Sequence, residues 1–302
     1  MKKQLSYLRE VHCTFIERNQ ANFENLQKVV DREIKSNPSD YEGVHAYLEN
    51  DEFANVAKKV LSGIKKKPEP SFFFIDPFGF KGVPFETIKD LLRIPKVEVF
   101  ITFMARDIYR FLESSKHKIS IEELYGTDNV KDLLSEKYST GAEGLLRLYR
   151  DRLHYEAGVK YTLPFEVNAD DKLQTTYYLI HATNHPLGCS RMKEVMFKAG
   201  TAGRFGYLGP AQGQLSLTQY EGLSKFKEFM LKKFEGETLS FNELINRTLM
   251  DTDFVETHYI QALKELESEG KVLIKGKGPK GGMSTNKKNV KIIFPKEVVE
   301  HE

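Results

Sequence analysis

The segment richest in potential chemistry is Asp76-Pro77-Phe78-Gly79. It follows Ser71 to Asp76 (SFFFID), an apolar run that reads as the clearest strand of the chain and as a central parallel strand. Side chains just beyond such a strand sit at the carboxyl edge of the sheet, where open α/β folds place ligands. Location thus makes Asp76, Pro77, Phe78 and Gly79 the candidate catalytic residues. The tetrapeptide also reads as a strand that ends in a proline turn, with Gly79 supplying an awkward backbone angle. The second chemical signal is basic: Lys271 to Lys296 holds eight lysines and no aspartate or glutamate. Such a run is either a solvated loop or a phosphate-binding surface.

Other arrangements lead nowhere specific. His181 and His185 have four-residue spacing, but a strand end and Pro186 interrupt any helical metal pair, and His12, His45 and His154 show no recognisable partners. No metal site is expected. No Gly-Lys-Ser/Thr phosphate loop occurs, and the glycines from Gly200 to Gly206 lack the preceding strand that a dinucleotide fingerprint requires. Two cysteines, Cys13 and Cys189, are too few for a disulfide framework and read as buried thiols.

The elements that must position these residues alternate. Val11 to Glu17 reads as a buried strand, Asn22 to Lys35 as a helix with Phe23, Leu26, Val29, Val30 and Ile34 at helical spacing, and Val44 to Leu48 as a weaker strand. A helix through Ile64 leads to the Ser71 strand; Pro84 to Leu92, Lys96 to Phe103 and Ala105 to Leu112 continue as helix, strand and helix. This is the βαβ pattern of a parallel sheet. Residues 119–152 read as a charged helical insertion. Val159 to Val167 and Thr175 to Thr183 then alternate with period two around a polar turn, an antiparallel hairpin. Ser190 to Lys198 reads as a closing helix, and the glycine-rich Gly200 to Gly213 as a linker.

The remainder reads as three helices, Tyr220 to Phe234, Ser240 to Leu249 and Asp253 to Glu269, followed by strands Lys271 to Lys275 and Asn289 to Phe294. That order is a winged helix-turn-helix, in which the basic run becomes the wing. Its candidate nucleic-acid-binding residues are Lys275, Lys277, Lys280, Lys287 and Lys288. Two domains are expected, 1–213 and 214–302, which suits a chain of 302 residues at roughly 150 per domain. A hydrophobic share of 40% supports a core in each, and no apolar run reaches the length of a membrane span. The first residues lack the apolar core of a signal peptide, so a cytoplasmic location is expected. The net charge of +2 says nothing about partners; the distribution of lysines does.

The longer segment FIDPFGFKGVPF, Phe74 to Phe85, closely resembles the corresponding motif of the three-Cys-motif partner proteins, a bacterial family. Val99 to Phe103 with Phe111, and Met192 to Met196, are similar to later family elements. The resemblance implies a Rossmann-like methyltransferase domain, whose sheet ends in an antiparallel hairpin, and a carboxyl-terminal winged helix. It also implies S-adenosylmethionine as cofactor, with Glu17 offering its carboxylate to the ribose hydroxyls, and Asp51 and Phe53 near the adenine. Asp51 is equally a helix cap. Asp76 and Pro77 resemble half of the Asp-Pro-Pro-aromatic motif of amino-group methyltransferases, which departs here to Phe78-Gly79; Phe78 or Phe80 is positioned by that likeness to stack on an extruded base.

Two functions follow. One is methyl transfer to nucleic acid or an associated macromolecule. The other is a catalytically impaired or truncated docking protein that binds nucleic acid, or a protein partner of the three-Cys-motif type, through its winged helix. The second arises because the first strand and glycine-rich loop of such domains are missing: residues Met1 to Glu10 read as the helix that would follow them. Loss of a central strand should expose two sheet edges and apolar faces.

Overall fold

The computed structural model describes residues 10–66, 68–77, 79–168, 175–200, 206–207, 218–276 and 289–296. It is a mixed α/β protein with a three-helix, three-stranded unit at its carboxyl end. No helix among these residues is long and apolar enough to cross a membrane.

β1 (Val11–Ile16), α1 (Gln20–Ser36) and β2 (Val44–Glu49) form a βαβ unit, with the strands parallel and in register from Val11 opposite Val44 to Ile16 opposite Glu49. Asn19 caps α1 by accepting from the Asn22 amide at 3.0 Å. Among the described residues neither strand pairs elsewhere, and α1 buries no residue completely. α2 (Phe53–Lys66) returns from this unit and buries Val56, Ala57 and Leu61.

β3 (Ser71–Ile75), α3 (Phe85–Leu92), β4 (Val97–Phe103) and α4 (Ala105–Phe111) open the larger sheet. α5 (Lys118–Tyr125), α6 (Val130–Lys137) and α7 (Ala142–Tyr155) follow, then β5 (Tyr161–Asn168), β6 (Thr175–Thr183), α8 (Pro186–Ala199) and β7 (Gly206–Tyr207). The strand order is β3-β4-β6-β5-β7: β3 runs parallel to β4, β6 is antiparallel to both β4 and β5, and β7 is parallel to β5. The hairpin finish expected from the period-two runs is present. The two parallel pairs, β1–β2 and β3–β4, belong to separate sheets, and among the described residues β3 is an edge strand of the larger one. Phe72 and Phe74 on β3 are 55% and 59% exposed.

Alternation along β4 and β6 divides two cores. Val97, Val99, Ile101, Phe103, Ile180 and Ala182 face the first, filled by α3, α4, α5 and α7 with Phe85, Ile108, Tyr125 and Tyr149. The stretch read as a charged insertion therefore completes this core: its acidic and basic residues lie outward while Ile121, Leu124, Leu145, Leu148 and Leu153 are buried. Phe103 stacks on Tyr149 with ring centroids 4.8 Å apart.

Leu163 and Phe165 of β5 face the second core, with Cys189 and Met196 of α8. This core continues without a break into the carboxyl-terminal unit: α9 (Thr218–Lys233), β8 (Thr238–Ser240), α10 (Phe241–Thr248), α11 (Glu256–Ser268), β9 (Leu273–Lys275) and β10 (Lys291–Ile293). β10 lies between β8 and β9, antiparallel to both.

Three local readings change. α8 starts four residues earlier than Ser190, because Pro186 fits the first helical turn and His185 Nδ1 accepts from the Leu187 amide at 3.2 Å. The supposed linker contributes β7, and β8 adds a third strand to the winged helix. Both strands are too short to leave a periodic pattern. The boundary near 213 and the turn at 169–174 lie outside the described residues.

Candidate nucleic-acid interface and sheet-edge site

The winged helix is set by side-chain caps and a shared core. Ser240 Oγ accepts from the Glu243 amide at 3.2 Å while Glu243 Oε2 accepts from the Ser240 amide at 2.7 Å, a complete capping box at the start of α10. The Ser240 amide first and the Ser240 hydroxyl second hold the Glu243 carboxyl below its usual range. α10 buries Phe241, Leu244, Ile245 and Thr248; α11 buries Tyr259, Ala262, Leu263 and Leu266. The Tyr259 hydroxyl and Thr248 Oγ1 meet at 2.7 Å, which joins the two helices of the helix-turn-helix through a satisfied buried pair.

What α11 presents outward is polar and weakly charged. Thr257, Gln261, Lys264 and Ser268, at spacings of four, three and four, are its exposed row. Of the acidic residues along α11 and at its end, Glu265 and the C-cap Glu269 are held by Lys227 of α9 at 3.0 and 2.8 Å, and Lys271 adds 2.9 Å to Glu269. Those two lysines hold the Glu269 carboxyl down at about 2. The pairing offsets the charge of these two carboxylates, which would otherwise repel a phosphate backbone.

At the base of the wing, Lys275 stands directly opposite Lys291 across β9 and β10. Both are exposed, and neither forms an ion pair among the described residues. Like charges placed directly opposite are unfavourable, and an anion between them relieves the repulsion. Lys291 escaped sequence reasoning because its position depends on the strand register. Lys277, Lys280, Lys287 and Lys288 lie outside the described residues.

The winged helix is fastened to α8. Lys193, 2% exposed, donates from Nζ to the Leu249 carbonyl at 2.9 Å and the Thr252 carbonyl at 2.5 Å, capping the turn between α10 and α11. Burial lowers its pKa, and Cys189, Asp253 and Asp251 offset this in part. Phe197 packs edge-on against His258 at 4.9 Å. Cys189 is buried as expected, with its thiol pushed up to about 12 by burial; Cys13 is only partly buried. Gly188 lets α8 lie against β4, since a Cβ there would meet Glu98 Oε1 2.0 Å away. The same Glu98 pairs with buried His181, Oε2 to Nε2 at 2.8 Å, so His181 and His185 serve the packing and capping of α8.

The sheet-edge residues separate into two groups. Glu17 and Asp51 come together at the carboxyl ends of β1 and β2, where the Glu17 amide donates to the Glu49 carbonyl at 3.1 Å and Asn50 Nδ2 donates to the Glu17 carbonyl at 2.8 Å. Glu17 Oε1 accepts from the Asn19 amide at 2.6 Å. Asp51 Oδ1 accepts from Asn55 at 2.9 Å and from the Glu52 amide at 2.7 Å, and Lys59 is 3.3 Å from Oδ2. These contacts, Asn55 first, lower the Asp51 pKa and tie the carboxylate to the start of its own helix. Phe53 packs partly buried against the first core.

Asp76 and Pro77 follow β3, with Asp76 exposed and without a side-chain hydrogen bond among the described residues. Gly79 has φ of 86°, the left-handed conformation that favours glycine. Phe80, 6% exposed, packs on Phe111 and His117 with ring centroids 6.2 and 5.9 Å away, so it belongs to the core and offers no face to a base. Phe78 lies outside the described residues. A surface hollow lined by Pro68, Asp90, Arg93, Ile94 and Pro95 lies at the opposite, amino end of β3 and β4.

For S-adenosylmethionine the fit is partial: Glu17 keeps one oxygen for a ribose hydroxyl, whereas Asp51 is engaged by its own helix and Phe53 by the core.

The fold and these contacts define a mixed α/β protein that carries a winged helix-turn-helix on the hairpin side of its sheet. A family model described as GMT-like wHTH domain matches residues 209–279. That span takes in α9, α10, α11 and β9, and it makes nucleic-acid binding plausible for this unit. Comparison with curated proteins and with solved structures gives no match.

Proposed function

We propose that this chain is a nucleic-acid-binding protein of the three-Cys-motif partner type, whose winged helix contacts phosphate and is carried on a methyltransferase-like domain in the cytoplasm. The observation that carries the reading is the exposed lysine pair at the base of the wing, Lys275 opposite Lys291. The outward polar row Thr257, Gln261, Lys264 and Ser268 on α11 supports it, because such side chains suit groove edges and sugar oxygens. The pairing of Glu265, and of Glu269 at the end of the same helix, with Lys227 supports it as well. Duplex and single-stranded probes titrated over a range of salt test the proposal. Lys275→Ala with Lys291→Ala should weaken binding and lower the salt slope by about 2, roughly 1 per lost phosphate contact. Binding with an unchanged slope would overturn it and leave a protein partner of the three-Cys-motif type as the occupant of the winged helix.

A second reading is favoured by Asp76, an exposed carboxylate at the carboxyl end of β3, and by Glu17 at the corresponding end of β1. In it the chain is an S-adenosylmethionine-dependent methyltransferase acting on nucleic acid or an associated macromolecule. The cofactor supplies an activated methyl group; Glu17 holds the ribose, and Asp76 with the Pro77 turn accepts hydrogen bonds from an acceptor amine and orients it. Calorimetric titration with S-adenosylhomocysteine decides between the readings. Binding lost in Glu17→Ala supports the enzyme. Absence of binding leaves the methyltransferase-like domain as a docking module.

A further inference from the structure

The β1–α1–β2 unit carries a cluster that neither functional reading uses. Because β1 and β2 pair in register, His12 stands directly opposite His45 on one face of the pair. Their rings stack with centroids 4.8 Å apart and planes 18° apart. His12 Nδ1 and the Tyr47 hydroxyl are 3.1 Å apart, which occupies one ring nitrogen. The other, Nε2, is 3.7 Å from Glu10 Oε2. One ligand atom from each of Glu10, His12 and His45 lies within 4.8 Å of the others, and all three side chains are exposed.

We propose that Glu10, His12 and His45 bind a divalent transition-metal ion of the zinc class, with water completing its coordination. Two imidazoles and one carboxylate are a donor set that zinc accepts, and the harder magnesium and calcium ions favour all-oxygen sites. The Tyr47 hydroxyl supplies the outer partner that ligating histidines usually have, fixing which nitrogen faces the ion. Ligands around tetrahedral zinc stand roughly 3.4 Å apart, given metal–ligand distances of about 2.1 Å. The ligand atoms of the three groups already lie within 4.8 Å of one another, each side chain is exposed and so has room to rotate, and the backbone register sets the histidines opposite one another.

The site also meets a structural need. α1 buries no residue completely, and neither do β1 and β2. A unit with so little core gains most from a cross-link that is present only when folded. The bound ion would join β1 to β2 near their amino ends, the end opposite Glu17 and Asp51. Metal binding and cofactor binding are therefore separable.

The full chain titrated with zinc chloride alone, by calorimetry, tests the site, and cobalt absorbance reports the coordination. One ion per chain is expected, with affinity at least roughly tenfold weaker in His12→Ala and in His45→Ala. His154→Ala, away from the cluster, should bind as the parent does. Zinc should also slow amide exchange across 11–16 and 44–49 in the parent and in His154→Ala, and leave the two cluster variants unchanged. Far-UV circular dichroism verifies that the variants are folded. Absence of zinc binding, affinity retained in both cluster variants, or binding without protection of these strands would each overturn the proposal.

Discussion

Two parallel strand pairs in this molecule have opposite surroundings. β4, beside β3, buries Val97, Val99, Ile101, Thr102 and Phe103; β1 and β2 leave His12, Thr14, Phe15, His45 and Tyr47 exposed and bury nothing completely. Both arise from similar apolar runs linked by amphipathic helices. The difference lies in what covers them. β4 is flanked on one face by α3, α4 and α7 and paired on both edges, whereas among the described residues β1 and β2 pair only with each other. Strand propensity is a local property, and burial is conferred by neighbours distant in sequence.

The comparison is sharpened most by truncation in the packed region. Phe103→Ala, which removes a ring 1% exposed and stacked on Tyr149, should cost about 3–5 kcal/mol, while Phe15→Ala, 38% exposed on β1, should cost less than about 1 kcal/mol. Equal costs in denaturant titrations would show that the two strand pairs are not so different.

The next effect concerns the joint between α8 and the winged helix. Lys193→Met keeps the apolar stem but strips the Leu249 and Thr252 carbonyls of their donor, at a cost of about 3 kcal/mol. Scanning calorimetry should then show the winged helix melting ahead of the rest. A single transition at the parent temperature would mean that the shared apolar core suffices. Smaller still is Ser240→Ala, which removes the capping box of α10 and should cost about 1 kcal/mol in the same measurement.

The smallest effect is electrostatic. Glu269, held down to about 2 by Lys227 first and Lys271 second, binds its proton more weakly in the folded state than in the unfolded chain. Its contribution is therefore complete above the ordinary carboxylate range and is lost as pH falls toward about 2. Glu265 shifts the same way through Lys227 and Gln261. Carboxyl resonances followed by NMR should give the Glu269 midpoint near 2, and Lys227→Met should move both residues back upward.

Much of this was legible in the chain itself. SFFFID reads as a strand from composition, and Ser240 reads as the cap of the helix that follows it. The winged helix was accessible through helix spacing and the Gly270 stop. What depends on register or tertiary burial was not. His12 meets His45, and Lys275 meets Lys291, only once strands are aligned. Lys193 looks like any solvated helix lysine until the turn at 249–252 closes over it. Phe53 and Phe80 were ligand platforms by the methyltransferase resemblance, yet Phe80 is buried in the first core and Phe53 packs against it.

Synthesis order gives the shared second core a further consequence. Leu163, Phe165, Cys189 and Met196 leave the ribosome well before Phe226, Met230 and Leu263, the residues that close over them. During translation the hairpin side of the sheet therefore waits, apolar and open, for the last quarter of the polypeptide. Premature termination in that stretch would yield a sticky nascent product rather than a smaller working one, which makes the carboxyl-terminal unit an intramolecular guardian of its own carrier.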